Sequence, residues 1–132
     1  MIVSAKGRYA LRVMIALAAR GNGEPVPLKE IASEEEIPHK FLESIMCELT
    51  KAGLVESTRG KNGGYRLTRS PEDCTAADIL RVTETSFAAA ACTSADADCP
   101  RAEKCPTLPM WKALDEAVDD LLKKYTLKDF IE

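Results

Sequence analysis

Residues 37–67, IPHKFLESIMCELTKAGLVESTRGKNGGYRL, decide the fold. Leu42, Ile45, Met46 and Leu49 recur at i, i+3, i+4 and i+7, so a helix over residues 38–52 turns them toward a core. Lys40, Glu43, Ser44 and Cys47 then form a mostly polar stripe on the opposite side. Pro38 suits the first turn of that helix, and Gly53 predicts its stop. Two short β-type runs follow, residues 54–57 and 65–68, separated by TRGKNGG, a loop whose glycines tolerate positive φ. A hairpin placed directly after such a helix predicts a wing.

Working upstream, residues 5–20 carry the apolar stripe Tyr9, Leu11, Met14, Ile15, Leu17 and Ala18, which predicts a helix stopped by Gly21. A turn over residues 21–25 leads to a short helix over 27–35 with Leu28, Ile31 and Ala32 on one side. Three helices ending in a wing predict a winged helix-turn-helix over residues 1–70. Downstream, Ser70-Pro71 breaks the pattern, and residues 75–83 are helical, with Thr75 and Asp78 approximating a capping box. From 86 to 109 the periodicity is lost. Residues 110–125 then read as a long amphipathic helix. Its stripe of Trp111, Leu114, Val118, Leu121, Leu122 and Tyr125 is narrow and predicts a partner helix from a second copy of the chain. The tail, with Thr126 as N-cap and Leu127, Phe130 and Ile131 apolar, is expected to dock on that helix. The expected fold class is mainly α with a small β hairpin, and residues 71–132 supply a helix, a cysteine loop and a dimerisation helix.

At 132 residues the chain suits one domain, or one small domain plus an extension, with a core that needs no disulfides. Aromatic residues make up only 5%, which argues against a stacking platform for single-stranded nucleic acid. No apolar run approaches membrane-spanning length and no cleavage signature is present, so the expected location is cytoplasmic, with no membrane partner. The formal net charge of -3 is unevenly spread. Lys6, Arg8, Arg12 and Arg20 meet no acid in residues 1–20, and Lys40, Lys51, Arg59, Lys61, Arg66 and Arg69 outnumber Glu43, Glu48 and Glu56 in residues 38–69. The sequence predicts a polarised surface suited to double-stranded DNA. There is no Ser-His-Asp set and no P-loop, and His39 is the sole histidine, so no enzyme constellation appears.

The five cysteines are Cys47, Cys74, Cys92, Cys99 and Cys105, an odd number that does not suit a disulfide framework. Cys92-x6-Cys99-x5-Cys105 lies within the non-periodic stretch. Thiolates are soft ligands for iron-sulfur clusters or zinc, and three on one flexible loop can converge. Redox-active thiols are the other chemistry open to them. Cys47 is read as a small buried thiol without function.

The segments AKGRYALRVMIALA, IPHKFLESIMCELTKAGLVESTRGKNGGYRL, CTAADILRVTE and ACTSADADCPRAEKCPTLPMW together resemble the bacterial winged-helix regulators of the Rrf2 family, the IscR, NsrR and CymR type. The resemblance covers nearly the whole chain. It implies a homodimeric transcription regulator built on crossed long helices, which binds a palindromic operator and senses redox, iron-sulfur or nitric oxide status through a two-iron or four-iron cluster on Cys92, Cys99 and Cys105. It also implies that the glutamate at Glu43 discriminates operator classes. The family's further ligands are not matched: Leu108 stands where some members place a histidine, and Arg8 where others place an acid. Asp96, Asp98, Glu103, a residue of the partner's first helix, or an exogenous thiol or water remain as the fourth ligand. A cluster-free regulator controlled by a partner protein, a metabolite or thiol oxidation is the alternative.

On the DNA-binding face, Lys40 and Ser44 can donate to phosphates or base edges, whereas ionised Glu43 can only accept and so favours cytosine N4. In the wing, Arg59, Lys61 and Arg66 suit a minor groove, while Gly60, Gly63 and Gly64 let backbone amides approach phosphates. Tyr65 is expected at the wing root. Trp111 is expected to start the dimer seam, where ordering of the cysteine loop would shift the long helix.

Overall fold

A computed structural model of the chain describes residues 3–20 and 22–131. The element order is α1 (Ala5–Arg20), α2 (Leu28–Glu35), α3 (His39–Lys51), β1 (Val55–Thr58), β2 (Gly64–Leu67), α4 (Ala76–Thr83) and α5 (Leu108–Lys124), with short 3-10 turns between and after them. This is the expected winged helix-turn-helix followed by a long helix. The stop assigned to Gly21 lies outside the described residues.

The core is built from the stripes that periodicity selects. Ala10, Val13, Met14, Leu17 and Ala18 of α1 meet Ile31 of α2 and Leu42, Ile45, Met46 and Leu49 of α3. All four α3 residues are completely buried. The turn from α2 to α3 is tight, and Glu36 takes it in the left-handed conformation at φ 54, which a side chain adopts only at some cost. Burial of the next residue, Ile37, offsets that cost. Pro38 sits one place before the expected first turn, as an extended N-cap, because its backbone leads into the helix without joining it. At the other end Gly53, at φ 78, donates to Thr50 O and Leu54 donates to Leu49 O, both at 3.0 Å. That pair satisfies two terminal carbonyls, and Leu54 is buried beside the Leu49 it closes on.

The hairpin is antiparallel, with Val55 opposite Leu67 and Glu56 opposite Arg66. Both strands lie about one residue from the expected positions, since β1 extends to Thr58 and β2 begins at Gly64. A third segment joins it. Val26 and Tyr65 exchange two backbone hydrogen bonds of 2.8 Å, bridging the approach to α2 to the wing. A Cβ on Gly64 would stand 2.3 Å from the Val26 carbonyl, so glycine is the residue that lets the two backbones meet.

Two features of the C-terminal part differ from expectation. α5 begins at Leu108, two residues early, because Thr107 leads into it with Pro109 in its first turn. The tail meets α5 through Phe130, whose ring stacks on Tyr125 with centroids 5.9 Å apart, but its main anchor lies in the core. Leu127 is completely buried within the main core, Leu127 N donates to Cys74 O at 2.9 Å, and Ala76 N donates to Tyr125 O at 2.8 Å. Capping boxes at Thr75/Asp78 and Thr126/Asp129 fix both sides of this junction. The end of α5 is therefore stapled to the start of α4. Among the described residues no helix is long and apolar enough to cross a membrane.

Candidate nucleic-acid interface and cysteine loop

α3 turns Lys40, Glu43, Ser44 and Cys47 outward, and all four are exposed. For Cys47 this corrects the expected buried thiol: its place on the polar stripe follows from helix geometry, which outweighs the general preference of cysteine for burial. Pro38 supplies no side-chain cap to α3 and no acid stands in its first turn, so the first amides of α3 are left for an anion such as a phosphate oxygen. Glu43 is already engaged, with its Oε1 3.1 Å from Nδ1 of His39 one turn back.

The wing tip is the second basic element. Arg59 and Lys61 are exposed, and among the described residues no ion pair engages either. Gly60 lies at φ 109, while a Cβ on Gly63 would stand 2.2 Å from the Thr58 carbonyl, so the tip is compact as well as basic. Arg66 differs from its neighbours. It stands opposite Glu56 in the hairpin register and pairs with that carboxylate through Nε, which reduces the charge it presents outward. Tyr65 is half-buried against the core, as expected for a wing root.

The basic residues of α1 do not add to this surface as their sequence clustering predicts. Lys6 pairs with Glu48 of α3 at 2.7 Å, Arg12 with Glu35, and Arg20 with Glu30 and Glu34. Arg12 also lies over the Tyr9 ring at 5.3 Å. These pairs join α1 to α2 and α3, so they set the angle of the helix-turn-helix and leave Arg8 as the exposed cation of that helix outside them. The partners Glu30, Glu34 and Glu35 were within reach of sequence reasoning as an acidic run facing a basic helix.

The cysteine loop is a separate arrangement between α4 and α5. Cys92 lies in a 3-10 turn over Ala91–Thr93, Cys99 on an exposed stretch, and Cys105 just before α5. Cys92 and Cys99 are exposed and Cys105 is half-buried. Cys105 Sγ lies 3.3 Å from Thr107 Oγ1. That contact, with the backbone amides of Thr107 and Leu108, holds the Cys105 thiol below its ordinary pKa. Cys74, by contrast, is buried beneath the tail, and burial pushes its thiol up to about 11. Among the described residues no three His, Cys, Asp or Glu side chains are gathered closely enough to hold a metal ion. The donors are thus of the right chemistry for a thiolate-held group, being soft, accessible and in one case already acidified, while a single chain does not preassemble them.

One carboxylate joins this loop to the long helix. Asp115 of α5 accepts from Thr93 and from Ala89 N at 2.7 Å, and these bonds hold its carboxyl below the usual range. A turn further on, Asp119 pairs with Lys123 at 2.8 Å and with Arg81 of α4. The apolar side of α5 remains open: Met110, Leu114, Leu121 and Tyr125 are exposed by 54, 42, 53 and 47%, and the helix has no buried residue. Trp111 is half-buried at the start of that side.

Comparison with known proteins bears on this arrangement. Residues 3–132 match the family model Rrf2, described as an iron-dependent transcriptional regulator. The chain is 33% identical over 132 residues to the HTH-type transcriptional regulator IscR of Vibrio atlanticus, covering 100% of this chain and 76% of that protein. Among solved structures it is similar to CymR, the global cysteine regulator of B. subtilis, with a TM-score of 0.80 and 35% identity over 99% of this chain and 96% of the other. It is also similar to the oxidized form of Staphylococcus aureus CymR, with a TM-score of 0.73 and 34% identity over 100% of this chain and 97% of the other.

Proposed function

This chain belongs to the Rrf2 family of transcriptional regulators, and on that footing we propose that it is a cytoplasmic homodimer that reads a palindromic operator and is controlled through its cysteine loop. The observation that carries the reading is the pairing of an exposed, uncapped polar face on α3 with an unengaged basic tip on the hairpin that follows it. Residues 1–70 read DNA, and residues 71–132 dimerise and sense.

Each role follows from chemistry at a named atom. Lys40 Nζ and Ser44 Oγ donate to phosphates or to acceptors on base edges, and the first amides of α3 take a phosphate oxygen. Glu43 accepts from a base amino group. Arg59 and Lys61 enter the minor groove, Gly60, Gly63 and Gly64 allow the backbone to follow them, and Arg66 contributes less because Glu56 engages it. The second copy of the chain covers Met110, Leu114, Leu121 and Tyr125, which sets two wings at a fixed spacing and matches a two-fold operator.

Cys92, Cys99 and Cys105 would hold a two-iron or four-iron cluster, with the fourth ligand drawn from Asp96, Asp98, Glu103, the partner's first helix, or a small thiol or water. When bound, such a cluster supplies a centre sensitive to redox state and nitric oxide. Within this chain, Asp115 joins the Cys92 turn to α5, so the loop's arrangement acts on the helix that spaces the wings. A second reading is favoured by the acidified Cys105 thiol: control by thiol oxidation without a cluster, consistent with the similarity to CymR, one structure of which is an oxidized form.

The visible absorbance of protein purified without air, followed through exposure to air or nitric oxide, tests the cluster. A sulfide-to-iron charge-transfer band that bleaches, together with a change in operator affinity, is the expected result. Iron-free and sulfide-free protein whose operator affinity still follows thiol oxidation decides for the second reading. Loss of both responses in a triple Cys→Ala variant is expected under either reading, and full retention of regulation would remove the loop from the mechanism.

A further inference from the structure

We propose that His39 is a specificity-determining positioning residue of the DNA-reading face, holding the Glu43 carboxylate where it selects the amino group of a base. This rests on the reading of α3 as the recognition helix. His39 is the first residue of α3 and Glu43 lies one turn further, with Nδ1 and Oε1 3.1 Å apart. Both side chains are about half exposed, at 51% and 56%, so the pair stands at the surface that meets the duplex.

A carboxylate on such a surface has a narrow use. It accepts hydrogen bonds and donates none, so phosphates repel it, and in the major groove it gains only from the amino groups of cytosine N4 or adenine N6. A free glutamate side chain also loses rotamer freedom when it is fixed against a base. In this proposal Nδ1 carries a proton and donates across the 3.1 Å contact to Oε1, a bond that removes part of that loss before DNA arrives. It occupies Oε1, leaves Oε2 as the acceptor for a base, and ties the charge to its own helix and away from the flanking phosphates. Lys40 and Ser44, on either side of Glu43, are free to take those phosphates. His39 thus acts through Glu43, and the selectivity belongs to the pair.

Selection from a random pool of double-stranded DNA, performed with the whole chain, tests the inference. The proteins compared are wild type, His39→Leu, His39→Asn, Glu43→Ala and the His39→Leu/Glu43→Ala double variant. His39→Leu removes the donor, whereas His39→Asn restores an N–H near the place of Nδ1. Wild type is expected to enrich cytosine or adenine at one position of each half-site. His39→Leu should lose about three- to tenfold of that preference at unchanged thermal midpoint, and His39→Asn should recover most of it. In the Glu43→Ala background His39→Leu should change nothing more. Unchanged base preference in His39→Leu, or a further loss in the double variant, would overturn the inference and leave α3 as a DNA reader. A wild-type chain that enriches no sequence would overturn the reading of α3 and this inference together.

Discussion

α3 and α5 are both amphipathic helices, and they end in opposite conditions. The apolar side of α3 is completely buried at Leu42, Ile45, Met46 and Leu49, while α5 buries no residue and leaves Met110 and Leu121 more than half exposed. The difference separates a half of the molecule that closes on itself from a half whose apolar stripe stays exposed. The closed half can hold a reading face in fixed geometry. The open half is stapled to the core at the end of α5 by the Ala76–Tyr125 backbone bond and buried Leu127, and along the rest of the helix it is held by surface ion pairs and the Asp115 tie. Rigidity thus falls in the half proposed to read DNA, and responsiveness in the half proposed to receive the signal.

The comparison breaks most visibly in stability. Leu127→Ala opens a cavity in the closed core and is expected to cost about 3 kcal/mol, whereas Leu121→Ala, measured at concentrations where the chain is monomeric, should stay within about 0.5 kcal/mol. Urea unfolding followed by circular dichroism reads both, and equal losses would mean that α5 is not open. Next in size is assembly. Charges placed in the stripe, as in Leu114→Glu/Leu121→Glu, should convert the proposed dimer to monomer in sedimentation and weaken operator binding by roughly 100-fold, about 2.7 kcal/mol, with the monomer's fold intact.

Smaller effects sharpen the picture of the wing. Arg59→Ala and Lys61→Ala should each lower the salt dependence of binding by about one ion and affinity by about three- to tenfold. Arg66→Ala should do less, because its charge is shared with Glu56. Titration of operator binding against salt distinguishes them, and equal slopes for all three would place Arg66 on the DNA.

The smallest test concerns two thiols. Because Cys74 is pushed up to about 11 in the fold from an ordinary 9.0, both states hold the proton below about pH 9. Between pH 9 and 11 the unfolded chain releases it first, so the Cys74 contribution to stability falls as pH rises through that window. Cys105, held below its ordinary value, should react with a thiol reagent well before Cys74 near pH 8. Mass spectrometry after brief alkylation gives the order, and early labelling of Cys74 would show that the tail is not docked.

Much of this was legible in the chain because local rules agreed with the fold. The α3 periodicity, the Gly53 stop and the Thr75/Asp78 capping box depend on neighbours within a turn or two, and each stands where the spacing put it. What escaped was set by distant contacts. A single residue pair such as Val26 with Tyr65 has no pattern to read. The seven-residue tail is too short for its periodicity to say which surface Leu127 would enter. Cys47 was legible and misjudged, since the stripe assigned it outward. The same is true of the basic residues in α1: their charge was counted correctly, but the acids of α2 that absorb it are separated from them by a turn. The i,i+4 spacing of His39 and Glu43 was open to view as well, but the exposed contact between them at the start of α3 was not.

The two backbone bonds between Val26 and Tyr65, with Gly64 flush against them, make the interval between helix and wing a property of the main chain. Side chains at 59–62 can therefore be exchanged without retuning that interval. For an engineer, the tip is a replaceable cartridge: a graft from another wing of equal length should alter groove preference while the half-site spacing stays as it was.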